Sequence, residues 1–283
     1  MCKKIHRGGN AEQYHADKKY KEAVAEAVEA CADDTKGQTC YICTQALHWK
    51  TKEGLVRMCS CRGTAGFAHV SCLAEQAKIL LAEVEENNLG LEKMKAAIMR
   101  WETCSLCKQD HRGVVKCALG WAIWKTYLGR PETDPARRVA MHQLAMGLDE
   151  ANKTNEGLEI LRAEVAMIER VCPNNTDALL TCKGNIAFCC ARLGQKEEAL
   201  ALRREIYATT KATIGPQDPR TIRIALNLAC SLREVNLAEC MSLVRETMPI
   251  AKQVFGADSD LHLRFRLDLW RLHHKRRNQL VPR

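Results

Sequence analysis

Eight potential metal ligands in one short segment constrain the fold of this chain most. They read, in sequence order, four cysteines, one histidine and three cysteines: Cys40, Cys43, Cys59, Cys61, His69, Cys72, Cys104 and Cys107. A structural zinc ion takes four thiolate or imidazole ligands in a tetrahedron, and two cysteines separated by two residues can reach one ion across a short turn. The eight residues therefore predict two zinc ions with no open coordination position, which argues against hydrolytic zinc chemistry.

Length and composition allow two domains and argue against a membrane role. The chain has 283 residues, of which 46% are hydrophobic and 27% charged, enough for a small and a larger domain. Its start lacks the apolar run of a secretory signal, and no stretch reaches the roughly 20 apolar residues of a spanning helix. We therefore expect a soluble protein in the cytoplasm or, as the alternative, the nucleus. In these reducing compartments, clustered cysteines bind metal rather than form disulfides.

A regular period runs through the second half of the chain. Residues that cap helix N-termini recur at intervals of 43, 41 and 41, at Asp134, Asp177, Asp218 and Ser259. Residues that accept the left-handed conformation after a helix recur at Asn174, Gly215 and Gly256. Leu144, Ile186 and Leu228 align at an offset of 42. This period predicts helix pairs that bury their apolar faces by stacking on one another, closed by a capping helix from Asp260 to His274.

The sequence divides into five segments. We expect an N-terminal helical or flexible segment (1–37), a zinc module (38–112), a connecting helix or turn (113–133), a repeat region with its capping helix (134–276) and a basic tail (277–283). Within the zinc module, the residues between Cys72 and Cys104 predict two inserted helices, broken near Asn87, Asn88 and Gly90.

The zinc segment resembles the RING-CH class of zinc finger over residues 38–110. The resemblance lies in Cys40-Tyr41-Ile42-Cys43, Cys59-Ser60-Cys61-Arg62-Gly63, His69-Val70-Ser71-Cys72-Leu73 and Cys104-Ser105-Leu106-Cys107-Lys108. It implies interleaved sites, with Cys40, Cys43, His69 and Cys72 on one zinc ion and the other four cysteines on the second. Spacing alone would also permit a sequential arrangement. The 31 residues between Cys72 and Cys104 exceed the usual family interval, and no transmembrane pair follows.

The repeats resemble tetratricopeptide repeats of the kinesin-light-chain type. Gly215-Pro216-Gln217-Asp218-Pro219-Arg220-Thr221 is similar to the turn of that family, with Asp218 in place of histidine. The expected fold is therefore mainly α, with a small two-zinc RING-like module followed by an α-solenoid of helix pairs. Such repeats are scaffolds that bind protein partners. We expect polar residues on the first helices to contact a partner, at the equivalent positions Gln143, Asn185 and Asn227.

Together the two resemblances imply a RING-type ubiquitin ligase that has no covalent catalytic residue. The zinc module would recruit a ubiquitin-conjugating enzyme, with Ile42 as the apolar contact and Lys108 as a cationic contact, while the repeats would hold a substrate or adaptor protein. Nucleic acid is not an expected partner. The basic run His273-His274-Lys275-Arg276-Arg277 suits the C-terminal end of a helix, where cations interact favourably with the helix dipole. The alternative for this run is a nuclear localisation signal or a nucleic-acid patch.

Two alternatives share parts of this pattern. A chromatin-reading PHD finger has the same ligand order, and Trp101 lies close to the position of its conserved tryptophan. One residue between Cys59 and Cys61 and seven between Cys61 and His69 fit that class poorly. The second alternative is a zinc and repeat scaffold without ligase activity, which the long insertion keeps open.

Overall fold

The described part of the protein is mainly helical, apart from the loops of the zinc module and the turns between helices. The computed structural model describes residues 11–260 and 262–267. Its helices are α1 (Ala11–Ala30), α2 (Val70–Glu86), α3 (Leu91–Met99), α4 (Gly113–Tyr127), α5 (Pro135–Glu150), α6 (Thr154–Val171), α7 (Thr176–Arg192), α8 (Lys196–Ile214), α9 (Pro219–Val235) and α10 (Leu237–Phe255). Isolated antiparallel bridges join Val56 to Ala68 and Thr103 to Asp110. None of the helices in the described ranges has the length and apolar composition of a membrane span.

The chain forms two compact units. Unit 1 extends to Asn175 and unit 2 begins at Thr176. Unit 1 thus joins the zinc module to α1 and to the helices α4, α5 and α6, so its boundary differs from the sequence-based division at residue 112. The physical reason is a continuous apolar core, which includes Phe67 and Leu81 of the zinc module together with Leu119 of α4 and Leu144 of α5.

Helix α4 is the centre of unit 1. Nine of its fifteen residues are buried, and it packs against α1, α2 and α5. Two glycines allow α4 and α5 to approach closely. A Cβ atom on Gly147 would lie 2.8 Å from the carbonyl oxygen of Lys116, and one on Gly120 would lie 3.0 Å from Cα of Leu144. The segment that sequence identifies only as a connecting helix or turn is therefore the main core helix of this unit.

Helix α1 is fixed to the rest of unit 1 by polar contacts as well as by its apolar face. Gln13 donates a hydrogen bond to the carbonyl oxygen of Lys125 on α4 at 3.1 Å, and Lys153 pairs with Glu26. After the helix ends, Asp34 accepts a bidentate pair from the guanidinium of Arg57, at 2.8 and 2.6 Å. The described part of the N-terminal segment is thus helical from Ala11 to Ala30, and this helix is an integral part of unit 1.

The inserted segment forms two helices, as the sequence predicts. Helix α2 ends at Glu86 and α3 begins at Leu91. Asn88 and Gly90 lie between them with φ angles of 49° and 82°, in the left-handed region that asparagine and glycine tolerate best. Glu85, near the end of α2, pairs with Arg130 through two hydrogen bonds of 2.7 and 2.8 Å.

Unit 2 consists of the helix pairs α7 with α8 and α9 with α10. Its core includes Ile222, Leu232 and Val244, together with Phe265 of the short helical stretch at residues 262–267. Residues 268–274 of the predicted capping helix, and the basic run beginning at His273, lie outside the described residues.

The capping predictions are confirmed in part. Asp134 and Asp218 accept hydrogen bonds from the backbone N–H groups of Ala136 and Arg220, at 2.7 and 2.8 Å. Asp177 is not an N-cap, because α7 already begins at Thr176. After the second helices, Gly215 and Gly256 have φ angles of 88° and 89°.

The left-handed turn predicted at Asn174 is wrong. Asn174 is not among the described residues with a positive φ. Instead, Asn152 takes this conformation, with φ of 61°, in the turn between α5 and α6. The chain leaves α6 through Cys172, whose φ is −141°, so no left-handed residue is needed there.

Candidate metal centres and neighbouring grooves

The first cluster unites Cys40, Cys43, His69 and Cys72. The Nδ1 atom of His69 lies 3.3 Å from Sγ of Cys43 and 3.6 Å from Sγ of Cys72. A tetrahedral zinc ion with Zn–S of about 2.3 Å and Zn–N of about 2.05 Å would place such atoms about 3.6 Å apart. The side chains are therefore spaced as the ligands of one zinc ion.

His69 is prepared for metal binding by its other ring nitrogen. Its Nε2 lies 3.3 Å from the carbonyl oxygen of Ala46. An Nε2–H that donates to this oxygen leaves the Nδ1 lone pair directed at the thiols, which is the usual outer-shell arrangement around a metal-bound imidazole. Burial lowers the pKa of His69, which favours the neutral form that a metal requires.

The second cluster unites Cys59, Cys61, Cys104 and Cys107. The sulfur atoms of Cys61 and Cys104 are 3.8 Å apart, which equals the separation of about 3.8 Å in a tetrahedral zinc–thiolate site. Gly66 is required here, because its φ is +88° and a Cβ atom would lie 2.6 Å from Cβ of Cys61. The ligands are thus grouped in the interleaved order that the resemblance implies.

Two turns of the same geometry present the C-x2-C pairs. In the first, the N–H of Cys40 donates to the carbonyl oxygen of Gln45 at 3.0 Å, and in the second Cys104 donates to Gln109 at 2.9 Å. Thr44 and Lys108 occupy equivalent positions, with φ angles of 63° and 59°. In the first turn, the N–H of Ile42 also points at Sγ of Cys40, at 3.4 Å, a contact that stabilises a thiolate.

The donor set of both clusters fits two zinc ions. Seven sulfur atoms and one imidazole nitrogen form two groups of four, and within each group the ligand atoms lie within 4.8 Å of one another. Soft thiolates in tetrahedral groups select zinc over magnesium or calcium. Each group supplies four protein ligands, so both centres are closed and hold loops in place rather than activate water.

An apolar groove of about 410 Å³ lies beside the first centre. One wall is the loop that carries His48 and Trp49, and the other is the face of α2 that carries Ile79 and Leu80. The half-buried side chain of Ile42 also lines the groove. Trp49 is 68% exposed and Ile79 is 58% exposed, so large apolar surfaces face solvent here, as at protein–protein interfaces.

Lys108 lies away from the groove lining. Its ammonium group donates to the carbonyl oxygen of Ser105 at 2.5 Å, and its side chain borders a polar cavity of about 350 Å³ together with Asp110, His111 and Arg112. Burial lowers the pKa of His111 to about 4. Among the residues predicted to contact a conjugating enzyme, the structure thus places Ile42 in an apolar groove and Lys108 in polar surroundings.

The three predicted partner-binding residues have different surroundings. Asn185 and Asn227 line a groove of about 860 Å³ within unit 2. Gln143 is buried, with 6% of its surface exposed, and its amide donates to a carboxylate oxygen of Glu102 in the zinc module. Gln143 therefore links α5 to the zinc module. It shares its position in the repeat with the two asparagines but does not share their groove.

The exposed apolar residues of the first groove were not predicted from the sequence. Trp49 lies in a loop without a regular pattern, and Ile79 belongs to an apolar run in which Leu81 is buried whereas Ile79 is exposed. The apolar residue types indicate that α2 has a buried face. Only the orientation of α2 beside the first centre shows which of its apolar residues face the core and which face the groove.

Comparison with known families and structures finds likenesses for both parts of the chain. Residues 40–88 match the RING-variant domain family. This match contains six of the eight ligands and ends in the turn between α2 and α3. Folding brings the remaining pair, Cys104 and Cys107, to Cys59 and Cys61. A comparison with curated protein sequences found no match.

Solved structures of tetratricopeptide-like repeats share the fold. A crystal structure of kinesin-light-chain-type repeats from Podosopora anserina has a TM-score of 0.51 and 16% identity, and covers 74% of this chain and 89% of that one. BtubC (BKLC) from P. vanneervenii has a TM-score of 0.50 and 12% identity, and covers 76% of this chain and 92% of its own. At these identities the likeness shows a TPR-like helical repeat fold.

Proposed function

We propose that the chain is a RING-type ubiquitin ligase, in which the zinc module recruits a ubiquitin-conjugating enzyme and the repeats bind a substrate or adaptor. The observation that carries the proposal is the apolar groove beside the first zinc centre, within the segment that matches the RING-variant domain. Ile42 in this groove is the residue that the family resemblance assigns to the conjugating enzyme.

The mechanism requires orientation rather than a nucleophile. When bound, the two zinc ions would hold the loops around Ile42 and Lys108 in fixed positions. A conjugating enzyme docked on those loops would then present its ubiquitin thioester to an incoming lysine in a restricted set of orientations. Restricting the relative freedom of two reactants lowers the activation free energy without new covalent chemistry. The closed centres are consistent with this structural use of zinc.

The groove has the size and chemistry of a docking site for a small apolar projection of a partner. Trp49 and Ile79 supply exposed apolar area on opposite walls, and Ile42 supplies a half-buried floor. Buried aromatic and aliphatic contacts of this kind dominate the binding free energy of many interfaces. Helix α2, which contains the start of the inserted segment, forms one wall of this groove and does not fill it.

Replacing Ile42 with alanine is expected to weaken ubiquitin transfer while both zinc ions stay bound. The side chain is half-buried at the groove, so its truncation should cost about 1–2 kcal/mol of binding to the conjugating enzyme, or about five- to thirtyfold in affinity. The measurement is the rate at which ubiquitin is released from its thioester with a conjugating enzyme, across a panel of such enzymes. Met99→Ala is the matched control, because Met99 is 54% exposed and lies outside the groove.

The same assay separates this proposal from the PHD alternative. If wild-type protein discharges no member of a broad panel but binds a histone peptide, the chromatin-reading function is correct instead. Trp101 bears on that alternative, because it is 2% exposed and packs edge-on against Tyr127 of α4, with ring centroids 5.9 Å apart. It is thus part of the core of unit 1 and not available to a peptide.

For the repeats, we infer that the groove of unit 2 binds an extended, acidic protein segment. Asn185 and Asn227 belong to the first helices α7 and α9, and amide side chains can pair with both N–H and C=O groups of an extended backbone. Arg203, Arg220 and Arg223 line the groove together with one carboxylate, that of Asp177. Arg220 pairs with Asp177 and Asp218, at 3.7 and 3.2 Å, so the excess positive charge of the lining falls on Arg203 and Arg223. This charge balance favours an acidic partner.

Changing Asn185 and Asn227 together to alanine is expected to weaken peptide binding by on the order of tenfold or more, because two hydrogen bonds of about 1 kcal/mol each would be lost. Binding of an array of extended acidic peptides provides the measurement. Gln143→Ala is the control: it should lower the stability of unit 1 and leave the array pattern unchanged. Unchanged peptide binding by the double variant, with lower thermal stability, would assign the asparagines a structural role only.

A further inference from the structure

We propose that Tyr20 of α1, acting through Ser71 and Glu53, is a positioning residue for the groove beside the first zinc centre. This inference rests on the proposed function, because the groove is the surface assigned there to the conjugating enzyme. According to this inference, α1 contributes to the affinity for that enzyme, although it lies outside the segment that matches the RING-variant domain.

The carboxylate of Glu53 joins the two walls of the groove. One of its oxygens accepts the backbone N–H of Ser71 at 2.7 Å, and the other accepts the hydroxyl of Ser71 at 2.8 Å. Ser71 is in the first turn of α2, where backbone N–H groups lack partners within the helix. His69, at the N-cap position of α2, makes no side-chain capping hydrogen bond, so Glu53 caps this helix from a separate loop.

The backbone of Glu53 holds the opposite wall. Its carbonyl oxygen accepts the N–H of His48 at 3.0 Å, and the N–H of Lys52 donates back to the carbonyl oxygen of His48 at 2.9 Å. These bonds close the loop that carries Trp49. A single residue therefore fixes the loop wall through its main chain and the helix wall through its side chain.

Tyr20 completes the chain of contacts from outside the groove. Its hydroxyl lies 3.0 Å from Oγ of Ser71. Because the Ser71 proton is directed at Glu53, the tyrosine hydroxyl donates and the serine oxygen accepts. The ring is buried, with 8% exposed, and the ammonium of Lys125 lies 4.0 Å from its centroid. Tyr20 is therefore held between α4 and the first turn of α2, and does not itself line the groove.

The test compares Tyr20→Phe with Tyr14→Phe, which removes the same hydroxyl from an exposed position on the same helix. We expect Tyr20→Phe to raise the ligase concentration needed for half-maximal discharge of a conjugating enzyme by about three- to tenfold, the loss corresponding to one hydrogen bond. The maximal discharge rate and the zinc content should stay at the wild-type level. A role in stability alone would lower the melting temperature without moving the half-maximal concentration.

A double-mutant cycle shows whether Tyr20 acts through Ser71. In the background of Ser71→Ala, the change Tyr20→Phe should add little further effect, because residues of one network are not additive. Additive effects would contradict the proposal that Tyr20 acts through Ser71. Equal half-maximal concentrations for Tyr20→Phe and Tyr14→Phe would contradict it as well.

Hydrogen exchange keeps the inference testable apart from ligase activity. The amides of residues 48–53 and of the first turn of α2 should exchange faster in Tyr20→Phe than in Tyr14→Phe. If wild-type protein discharges no conjugating enzyme but exchange changes as expected, the proposed function fails and the positioning of the groove stands. Unchanged exchange overturns the positioning role itself.

Discussion

Replacing Cys59 with serine is expected to reduce the zinc content from two ions per chain to one or fewer and to unfold the zinc module, together with the packing of unit 1 that shares its core. Cys59 belongs to the all-cysteine centre, and a structural zinc ion contributes about 10–16 kcal/mol of apparent binding free energy that is coupled to folding. The second centre also holds Cys104 and Cys107 against the segment 59–66, and no strand pairing replaces this link within the described residues.

Elemental analysis and circular dichroism measure the two parts of this prediction. Unit 2 has its own apolar core, so its helices should persist in the variant and the helical signal should fall only partly. Cys230→Ser provides the control, because it makes the same chemical change at an exposed cysteine outside both clusters. Finding one zinc ion or none in freshly purified wild-type protein would contradict the two-centre structure.

Replacing Gly147 with valine should have the second largest effect. A Cβ atom there would lie 2.8 Å from the carbonyl oxygen of Lys116 and 3.0 Å from Cα of Cys117. Both neighbours are backbone atoms of α4, so they can move only if the two helices separate. Overpacking of this kind costs about 1–3 kcal/mol, and more for larger side chains. For Gly147→Ala, a gain of up to about 1 kcal/mol in helix propensity partly offsets the cost.

Gly184→Ala is the matched change with the opposite expected sign. Gly184 also lies inside a helix, but nothing is within 4 Å of the position its Cβ would take. The alanine variant should therefore gain about 0.5–1 kcal/mol of stability in unit 2. Urea unfolding followed separately for the two units measures both changes, since a chain with two compact units need not unfold in one step. A Gly147→Val protein as stable as wild type would show that α4 and α5 do not approach so closely.

The metal centres could be predicted from sequence because ligand chemistry is local. A cysteine pair spaced for a tight turn identifies its own role, and the break between α2 and α3 at Asn88 and Gly90 follows from residues that tolerate a left-handed backbone. The pairing of ligands needed the family resemblance, since nothing in the spacing links Cys59 to Cys104. The repeat period likewise predicted the helix pairs, because their buried Leu144, Ile186 and Leu228 recur at a fixed interval.

The features of the structure that could not be predicted from the sequence depend on contacts between segments that are distant in the chain. Gln143 has the same position in the repeat as Asn185. Its amide is nevertheless buried, because it donates a hydrogen bond to Glu102 of the zinc module. Helix α4 has apolar residues on all sides, so its hydrophobic pattern does not indicate which face meets α1 and which meets α5. The capping of α2 by Glu53 joins residues that are 18 positions apart and share no motif.

The shared core of unit 1 has a consequence for dissecting the protein. The end expected from sequence for the zinc module, at residue 112, is not a folding boundary, because Trp101 of the zinc module packs on Tyr127, and α4 packs against both α1 and α5. A fragment of residues 38–112 would leave these apolar faces uncovered and prone to self-association. The smallest piece expected to stay monomeric and retain an intact groove is residues 11–175, in which the zinc module and the first helix pair melt as one cooperative body.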